Sequence, residues 1–340
     1  MAAERLSHGQ AGIAGRPLRG LLSALMRILF VTATRIGDAV LSTGLLSHLI
    51  GRFPDAGLTI AAGPAAAPLF EAVPRLERLI VLQKRRWALH WLALYGQTVL
   101  RRWDLVVDLR GSALAWLLWA GERRVTAKGD PNEHRVRQLA RLFGLEPPPS
   151  PVVWTAPQHD RAAEALVPSG APVLAIGPAA NWRGKEWRAE RFAELAARLT
   201  APDAPFAAAR VAVLAAAHER AQAMPLLAAL PAARVIDLVG RTDLLTAAAV
   251  LRRCALFIGN DTGLMHLAAA AGTPTLGLFG PSAVEQYAPW GRRTAVARTE
   301  ITYPSGYDYR TTDTLMDGLS VAEVEAAARD LWQRAVSQAA

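Results

Sequence analysis

The sequence is almost without cysteine and poor in lysine. Its one cysteine, Cys254, excludes an intrachain disulfide framework and suits a reducing compartment. Beside an apolar run, that residue is expected to be a small buried side chain. Lysine occurs only at positions 84, 128 and 185, so arginine carries nearly all of the formal net charge of +9. No apolar run reaches the roughly 18–20 residues that span a bilayer. There is no Asp-x-Asp pair to hold a metal–diphosphate complex, and the seven histidines (8, 48, 90, 134, 159, 218 and 266) form no close ligand pair. Neither the Gly-x-Ser-x-Gly of a serine hydrolase nor the Gly-x-Gly-x-x-Gly of a dinucleotide fold occurs. GPAANWRGKEW at 177–187 has glycines and a lysine in Walker-like order, but the glycine spacing is too long and Glu186 replaces the required Ser or Thr. A basic surface favours anionic partners. With no zinc-finger spacing, RNA-binding aromatic signature or dense basic tail, nucleic acid is not an expected one.

What is present is apolar and periodic. At 340 residues and 52% hydrophobic content, the chain has material for two domains of ordinary size. Residues 1–25 are expected to be a loose leader with Met26 as an alternative start. Although Arg16, Arg19 and LLSALMRILFVTA imitate a secretion signal, Arg27 interrupts that run, which then continues as the first strand. Strands are expected at 28–33, 58–63, 79–83 and 105–111. After the helix-breaking cluster at 146–151 and a linker within 146–172, more are expected at 173–178, 210–217, 234–240, 255–260 and 275–280. Helical segments separate them, an alternation that implies an α/β architecture of two doubly wound, Rossmann-like domains facing a central cleft. The expected division is 26–160, 161–318 and a C-terminal helix, 319–340, that packs on the second domain or crosses back to the first. Ser320 and Glu323 open that helix with a capping-box pattern.

Ligands of such sheets bind beyond the carboxyl ends of the strands, which directs attention to the loops after Ala33, Pro178, Ala217, Gly240 and Asn260, three of which carry residues able to do chemistry. In ALFIGNDTGLMHLAAA at 255–270, Asp261 taken alone is an ordinary helix cap worth about 1 kcal/mol. Thr262 adds a hydroxyl, Gly263 admits a ligand to the backbone, free N–H groups at a helix start attract phosphate, and His266 lies one turn further on. Lys185, between a strand and a helix, is either a solvated side chain or a point charge for a phosphate. Asp38, in TRIGDAV after the first strand, is either a cap or a general base facing the other two loops. A fourth stretch, KRRWALHWLALYGQTVLRRW at 84–103, places Trp87, Trp91 and Tyr95 at i, i+4 and i+8 between basic ends. It is either an ordinary core-facing stripe with arginines in solvent or a surface helix that touches the membrane or the acceptor's lipid end, with Arg85, Arg86, Arg101 and Arg102 as its basic residues.

Several of these stretches together resemble glycosyltransferase family 9, the lipopolysaccharide heptosyltransferases: RIGDAVLSTGLLSHL at 35–49, GPAANWRGKEWRAERFAEL at 177–195, the block 238–282 and YAPWG at 287–291. The similarity spans about residues 26–335. It implies a GT-B fold with the acceptor on the N-terminal domain and the nucleotide-sugar on the C-terminal one. It also implies Asp38 as catalytic base and Lys185 as the diphosphate contact, with Asn181, Glu219, Asp261, Thr262, Gly263 and His266 completing the nucleotide-sugar site. Arg35, Arg110, Arg123, His134 and Arg137 are the candidates for gripping an anionic glycolipid acceptor such as a lipid A-core. The expected activity is inverting, metal-independent transfer of heptose from ADP-heptose, with no cofactor beyond that co-substrate. The enzyme is expected in the cytoplasm, in transient contact with the inner membrane. The alternatives are transfer of a hexose or N-acetylhexosamine and nucleotide-sugar epimerisation.

Overall fold

The computed structural model describes residues 26–84, 86–127, 129–300 and 313–338; the expected leader, residues 1–25, lies outside them, as does Arg85. Five strands form the first sheet: β1 (Arg27–Val31), β2 (Gly57–Ala62), β3 (Leu76–Val81), β4 (Trp103–Asp108) and β5 (Ala120–Val125). Six form the second: β6 (Val173–Gly177), β7 (Arg210–Val213), β8 (Val235–Asp237), β9 (Leu256–Asn260), β10 (Thr275–Phe279) and β11 (Thr294–Arg298). The orders are β3-β2-β1-β4-β5 and β11-β10-β9-β6-β7-β8, and every pairing is parallel. VLAIG, LFIGN and TLGLF are buried along their whole length, as expected of central parallel strands covered on both faces.

The edge strands β5 (AGERRV) and β11 (TAVAR) were not expected from the sequence. At an edge one side of the strand meets solvent, so the apolar run that marks a central strand is missing.

The helices α1 (Ile36–Arg52), α2 (Leu89–Thr98), α3 (Leu114–Leu117), α4 (Arg135–Arg141) and α5 (Pro157–Leu166) belong to the first half of the chain. In the second are α6 (Ala189–Leu199), α7 (Arg220–Ala229), α8 (Leu244–Arg252), α9 (Gly263–Ala270), α10 (Val284–Tyr287) and α11 (Val321–Ser337). One buried cluster runs from Ile28 and Phe30 of β1 through Val40 and Leu45 of α1 to Leu267 of α9 and Phe257 of β9. The two halves therefore share apolar packing, chiefly where α1 meets α9 and α5 meets α8.

Two expectations change and one is narrowed. The segment expected as a linker contains helix α5, and the expected division after residue 160 falls inside it. Helix α11, with its Ser320–Glu323 capping box formed, takes the first of its two expected positions: Val324, Ala328 and Leu331 pack into the core of the second sheet. The aromatic stripe is broken, because Trp87 and Ala88 have positive φ (55° and 56°) and α2 begins only at Leu89. Trp91 and Tyr95 pack on the first sheet, whereas Trp87 is 88% exposed.

Candidate functional site

Each sheet has one place where the chain changes its direction of winding, between β1 and β4 in the first and between β6 and β9 in the second. A crevice forms at such a switch, beyond the carboxyl ends of the two strands. The loop after β1 carries Arg35 and leads into the first turn of α1 with Asp38, and the loop after β4 carries Arg110. The loop after β6 carries Lys185, and that after β9 carries Asp261 and Thr262 and ends at Gly263, the first residue of α9.

On the second sheet, Lys185 Nζ donates to Asp261 Oδ2 at 2.5 Å, with the side chains 19% and 8% exposed. Asp261 is thus not the cap of α9. Thr262 is, with no side-chain cap bond, and Arg35 at the start of α1 makes none either. Both helices turn an uncapped N-terminal end, with the positive end of its dipole, toward the crevice. The lysine loop is held from below by Asn260, whose fully buried amide donates to Pro178 O (2.7 Å) and accepts from Trp187 N (3.1 Å). The segment at 314–315 supports the loop too: Thr314 Oγ1 donates to Glu186 O and Leu315 N to Gly184 O.

Asp38 lies in the first turn of α1, half-buried. Burial raises its pKa above the ordinary aspartate value; Arg135, Arg35 and Arg110 pull it back, and the Asp261 carboxylate pushes it further up. The base candidate of one half and the lysine-bound carboxylate of the other therefore sense each other's charge. Burial, and then the charge of Asp38, also raise the Tyr287 phenol.

The two crevice walls touch. A Cβ added at Gly37 would lie 2.9 Å from His266 Cδ2, and one at Gly263 would lie 2.8 Å from Ile36 Cβ. His266 is 4% exposed, and burial brings its pKa down to about 4, so the ring is neutral at physiological pH. Its Nδ1 has no hydrogen-bond partner among the described residues, and neither has the buried Ser282 Oγ beyond β10.

Not every candidate stands free at this crevice. Arg123 directs its guanidinium to Ala115 O, Ala120 O and Leu118 O at 2.6–3.1 Å, which fixes the α3–β5 connection. His134 caps α4 through Nδ1, which accepts from Val136 N. Its Nε2 bonds Ala288 O at 2.9 Å and its ring lies 4.6 Å from that of Trp290, beside which Arg137 stacks at 5.6 Å. His134 and Arg137 thus clasp the two halves together. Glu219 accepts from Ala216 N at 2.8 Å, closing the turn after β7, while Asn181 is exposed.

Sequence reasoning missed Asn260, Arg135, Tyr287 and Asp108. The last is fully buried and accepts from Arg110 N, Ser112 N and Ser112 Oγ, shaping the loop that presents Arg110. Only Asp108 had a local signal, an aspartate at a strand end two residues before a serine-bearing glycine turn. Among the described residues no group of three or more His, Cys, Asp or Glu is placed to hold a metal ion.

Lipopolysaccharide heptosyltransferase 2 of Salmonella typhimurium is 24% identical over 314 residues, which cover 80% of this chain and 88% of that protein. The crystal structure of a family 9 glycosyltransferase from Veillonella parvula superposes with a TM-score of 0.74 at 19% identity, covering 91% of this chain and 97% of the other. E. coli ADP-heptose lipopolysaccharide heptosyltransferase II superposes at 0.71 with 20% identity, covering 91% and 99%. The two facing Rossmann-like halves make this a GT-B fold, and the protein is a glycosyltransferase. Residues 93–314 match the description "Glycosyltransferase family 9 (heptosyltransferase)". The chain belongs to that family.

Proposed function

We propose that this enzyme moves a heptose from ADP-heptose to a hydroxyl of an anionic lipopolysaccharide-core acceptor, with inversion and without a metal. The observation that carries the reading is the opposition of Asp38, with its raised pKa, to the Lys185–Asp261 pair across the crevice. The acceptor lies on the first half, near Arg35, Arg110 and Arg135. The nucleotide-sugar lies on the second, with its diphosphate at Lys185 and the uncapped start of α9. Thr262, Gly263 and His266 Nδ1, which has no partner among the described residues, face the same donor, while Asn181 and Glu219 border the nucleoside.

Asp38 takes the proton from the acceptor hydroxyl as that oxygen bonds to the anomeric carbon. The bond from that carbon to the diphosphate oxygen breaks on the opposite face, and its electron pair leaves with the nucleoside diphosphate. A carboxylate of raised pKa holds that proton more readily at neutral pH than an ordinary aspartate. Lys185 and the helix N–H groups stabilise the charge gathering on the leaving group, as preorganised dipoles do. Asp261 fixes the lysine in place and leaves its two other ammonium protons for the phosphates. Because the positive charge comes from the chain itself, turnover is expected to survive EDTA.

The deciding experiment is a panel of ADP-, UDP- and GDP-sugars read by transfer and by thermal shift, since a tight ligand raises apparent stability. A shift and transfer with ADP-heptose alone supports the reading. Response to a UDP-hexose or UDP-N-acetylhexosamine replaces it with transfer of that sugar, and conversion of the donor without acceptor replaces it with epimerisation.

A further inference from the structure

Ten large hydrophobic side chains are exposed among the described residues, and eight of them lie between positions 81 and 119. Exposed apolar residues scattered singly need no explanation; such a concentration does. Trp87 (88% exposed), Leu92 (65%) and Leu100 (95%) come from α2 and its flanks. Trp116 (68%), Leu117 (64%) and Trp119 (69%) come from α3 and the residues just after it.

The two groups share one face of the molecule. Helices α2 and α3 cover the same side of the first sheet, where Trp91, Leu94 and Tyr95 of one and Leu114 and Ala115 of the other pack on Val31 and Val106. Their opposite sides therefore both look outward. The stretch ALAWLLWA at 113–120 has no polar side chain at all, so burying Leu114, Ala115 and Leu118 leaves Trp116, Leu117 and Trp119 in water. The groups join at the lower edge of the sheet, where Trp103 N donates to Trp119 O and the Arg102 guanidinium lies 5.7 Å from the Trp119 ring. At the upper edge, Arg110 lies 5.8 Å from the Trp91 ring, so the same face begins at the mouth of the crevice.

Lys84, Arg86, Arg101 and Arg102 are exposed at the two ends of α2. Apolar and aromatic side chains ringed by cations, on a chain of net charge +9, match the boundary of an anionic bilayer. There tryptophan settles at headgroup depth, and arginine meets phosphate while its stem lies along the acyl chains. The same charge disfavours the other apolar occupant, a second copy of the chain. In a two-fold contact each patch meets itself, bringing the cations of both copies together. No helix among the described residues is long and apolar enough to cross a membrane.

We infer that the outer face of α2 and α3, which exposes Trp87, Leu100, Trp116 and Trp119, docks this enzyme on an anionic lipid surface and holds the mouth of its crevice against it. The inference concerns the docking face and holds whichever sugar is transferred.

The test is flotation of the full chain with vesicles of phosphatidylcholine alone or mixed with phosphatidylglycerol, together with sedimentation velocity in the absence of lipid. The wild type is expected to float with the anionic vesicles, less so as salt rises, and to stay behind with phosphatidylcholine alone. The triple variant Trp87→Ser, Trp116→Ser, Trp119→Ser is expected to lose at least tenfold in partition, with unchanged melting temperature and unchanged turnover of a short soluble acceptor. Replacing Arg101 and Arg102 by Gln is expected to weaken partition by roughly fivefold per charge, as each cation contributes at an anionic surface. Equal flotation of the folded triple variant would overturn the inference. So would a wild type that ignores anionic vesicles, including one that sediments as a dimer dispersed by the tryptophan substitutions. Failure of ADP-heptose as a donor would leave the flotation result untouched, so the two readings fail separately.

Discussion

Gly37 of α1 and His266 of α9 meet so closely that a Cβ at position 37 would stand 2.9 Å from the imidazole Cδ2. Gly37→Ala must therefore displace a buried ring. Overpacking of this kind typically costs about 1–3 kcal/mol, and here it also pries the crevice walls apart. Both the melting temperature and kcat/KM should fall. An alanine variant with wild-type values of both would show that the walls do not rely on this contact.

Asp38→Asn keeps the shape of the side chain but cannot accept the proton, so kcat should fall on the order of 10² or more. The base works only when ionised. Because its pKa is raised, wild-type kcat/KM should decline on acidification from a point above the usual ~3.9 of aspartate. Near-normal turnover of the variant, or an acid limb it shares with the wild type, would move the role to another residue.

Lys185→Ala removes the cation held by Asp261 and should lower kcat/KM for the donor by about 10², the scale of losing one preorganised donor to a developing anion. The acceptor KM should change little. Asn260→Ala should act on the same parameter from beneath the loop, because it strands Trp187 N and Pro178 O, each worth about 1–3 kcal/mol when left unsatisfied. Steady-state kinetics with each substrate varied in turn, alongside a melting curve, separates the two. Both should melt lower, since Lys185→Ala strands the nearly buried Asp261 carboxylate, but Lys185→Ala should carry the larger loss in kcat/KM for the donor.

His266 gives stability a pH dependence. Its folded pKa of about 4 lies below the unfolded value of roughly 6.5. The unfolded chain therefore binds more protons between these values, and stability that is complete above pH 6.5 is lost as pH falls through 4. The lowered pKa of His134, also due to burial, contributes in the same direction. Urea titrations from pH 7.5 to 4.5 should show a shallower decline for His266→Gln than for the wild type. Parallel declines would show the ring to be accessible to protons.

Arg110 and Arg123 offer a paired comparison within one loop region. Arg123→Ala unpairs three backbone carbonyls and should destabilise the fold by about 2–3 kcal/mol. The exposed Arg110, replaced by Ala, should leave the melting temperature in place and raise the acceptor KM. The reverse pattern would exchange their roles.

Asp38, Lys185 and Asp261 were legible before the fold because each stands just beyond a short apolar run, and a parallel sheet collects its strand ends on one edge. The central strands were legible for a related reason: burial on both faces leaves an uninterrupted apolar string. The partners of these residues were not. Arg135 is nearly a hundred positions from Asp38 and Tyr287 far beyond both, and no spacing rule connects residues on different helices of different halves. Arg123 and His134 looked like free cations or ligands because a guanidinium bonded to its own backbone carries the same letter as one awaiting a substrate.

By itself, then, the amino-acid order determined the alternation of strand and helix, the two-sheet architecture and the loops able to carry chemistry, since local periodicity and turn residues act over a few positions. Tertiary structure alone decided that Asp261 holds a lysine instead of capping a helix, that His266 is neutral and pressed against Gly37, and that the tryptophans at 87, 116 and 119 share one outward face. Each of these depends on long-range packing, which sets distance, dielectric and exposure, and none of those is a property of a single segment.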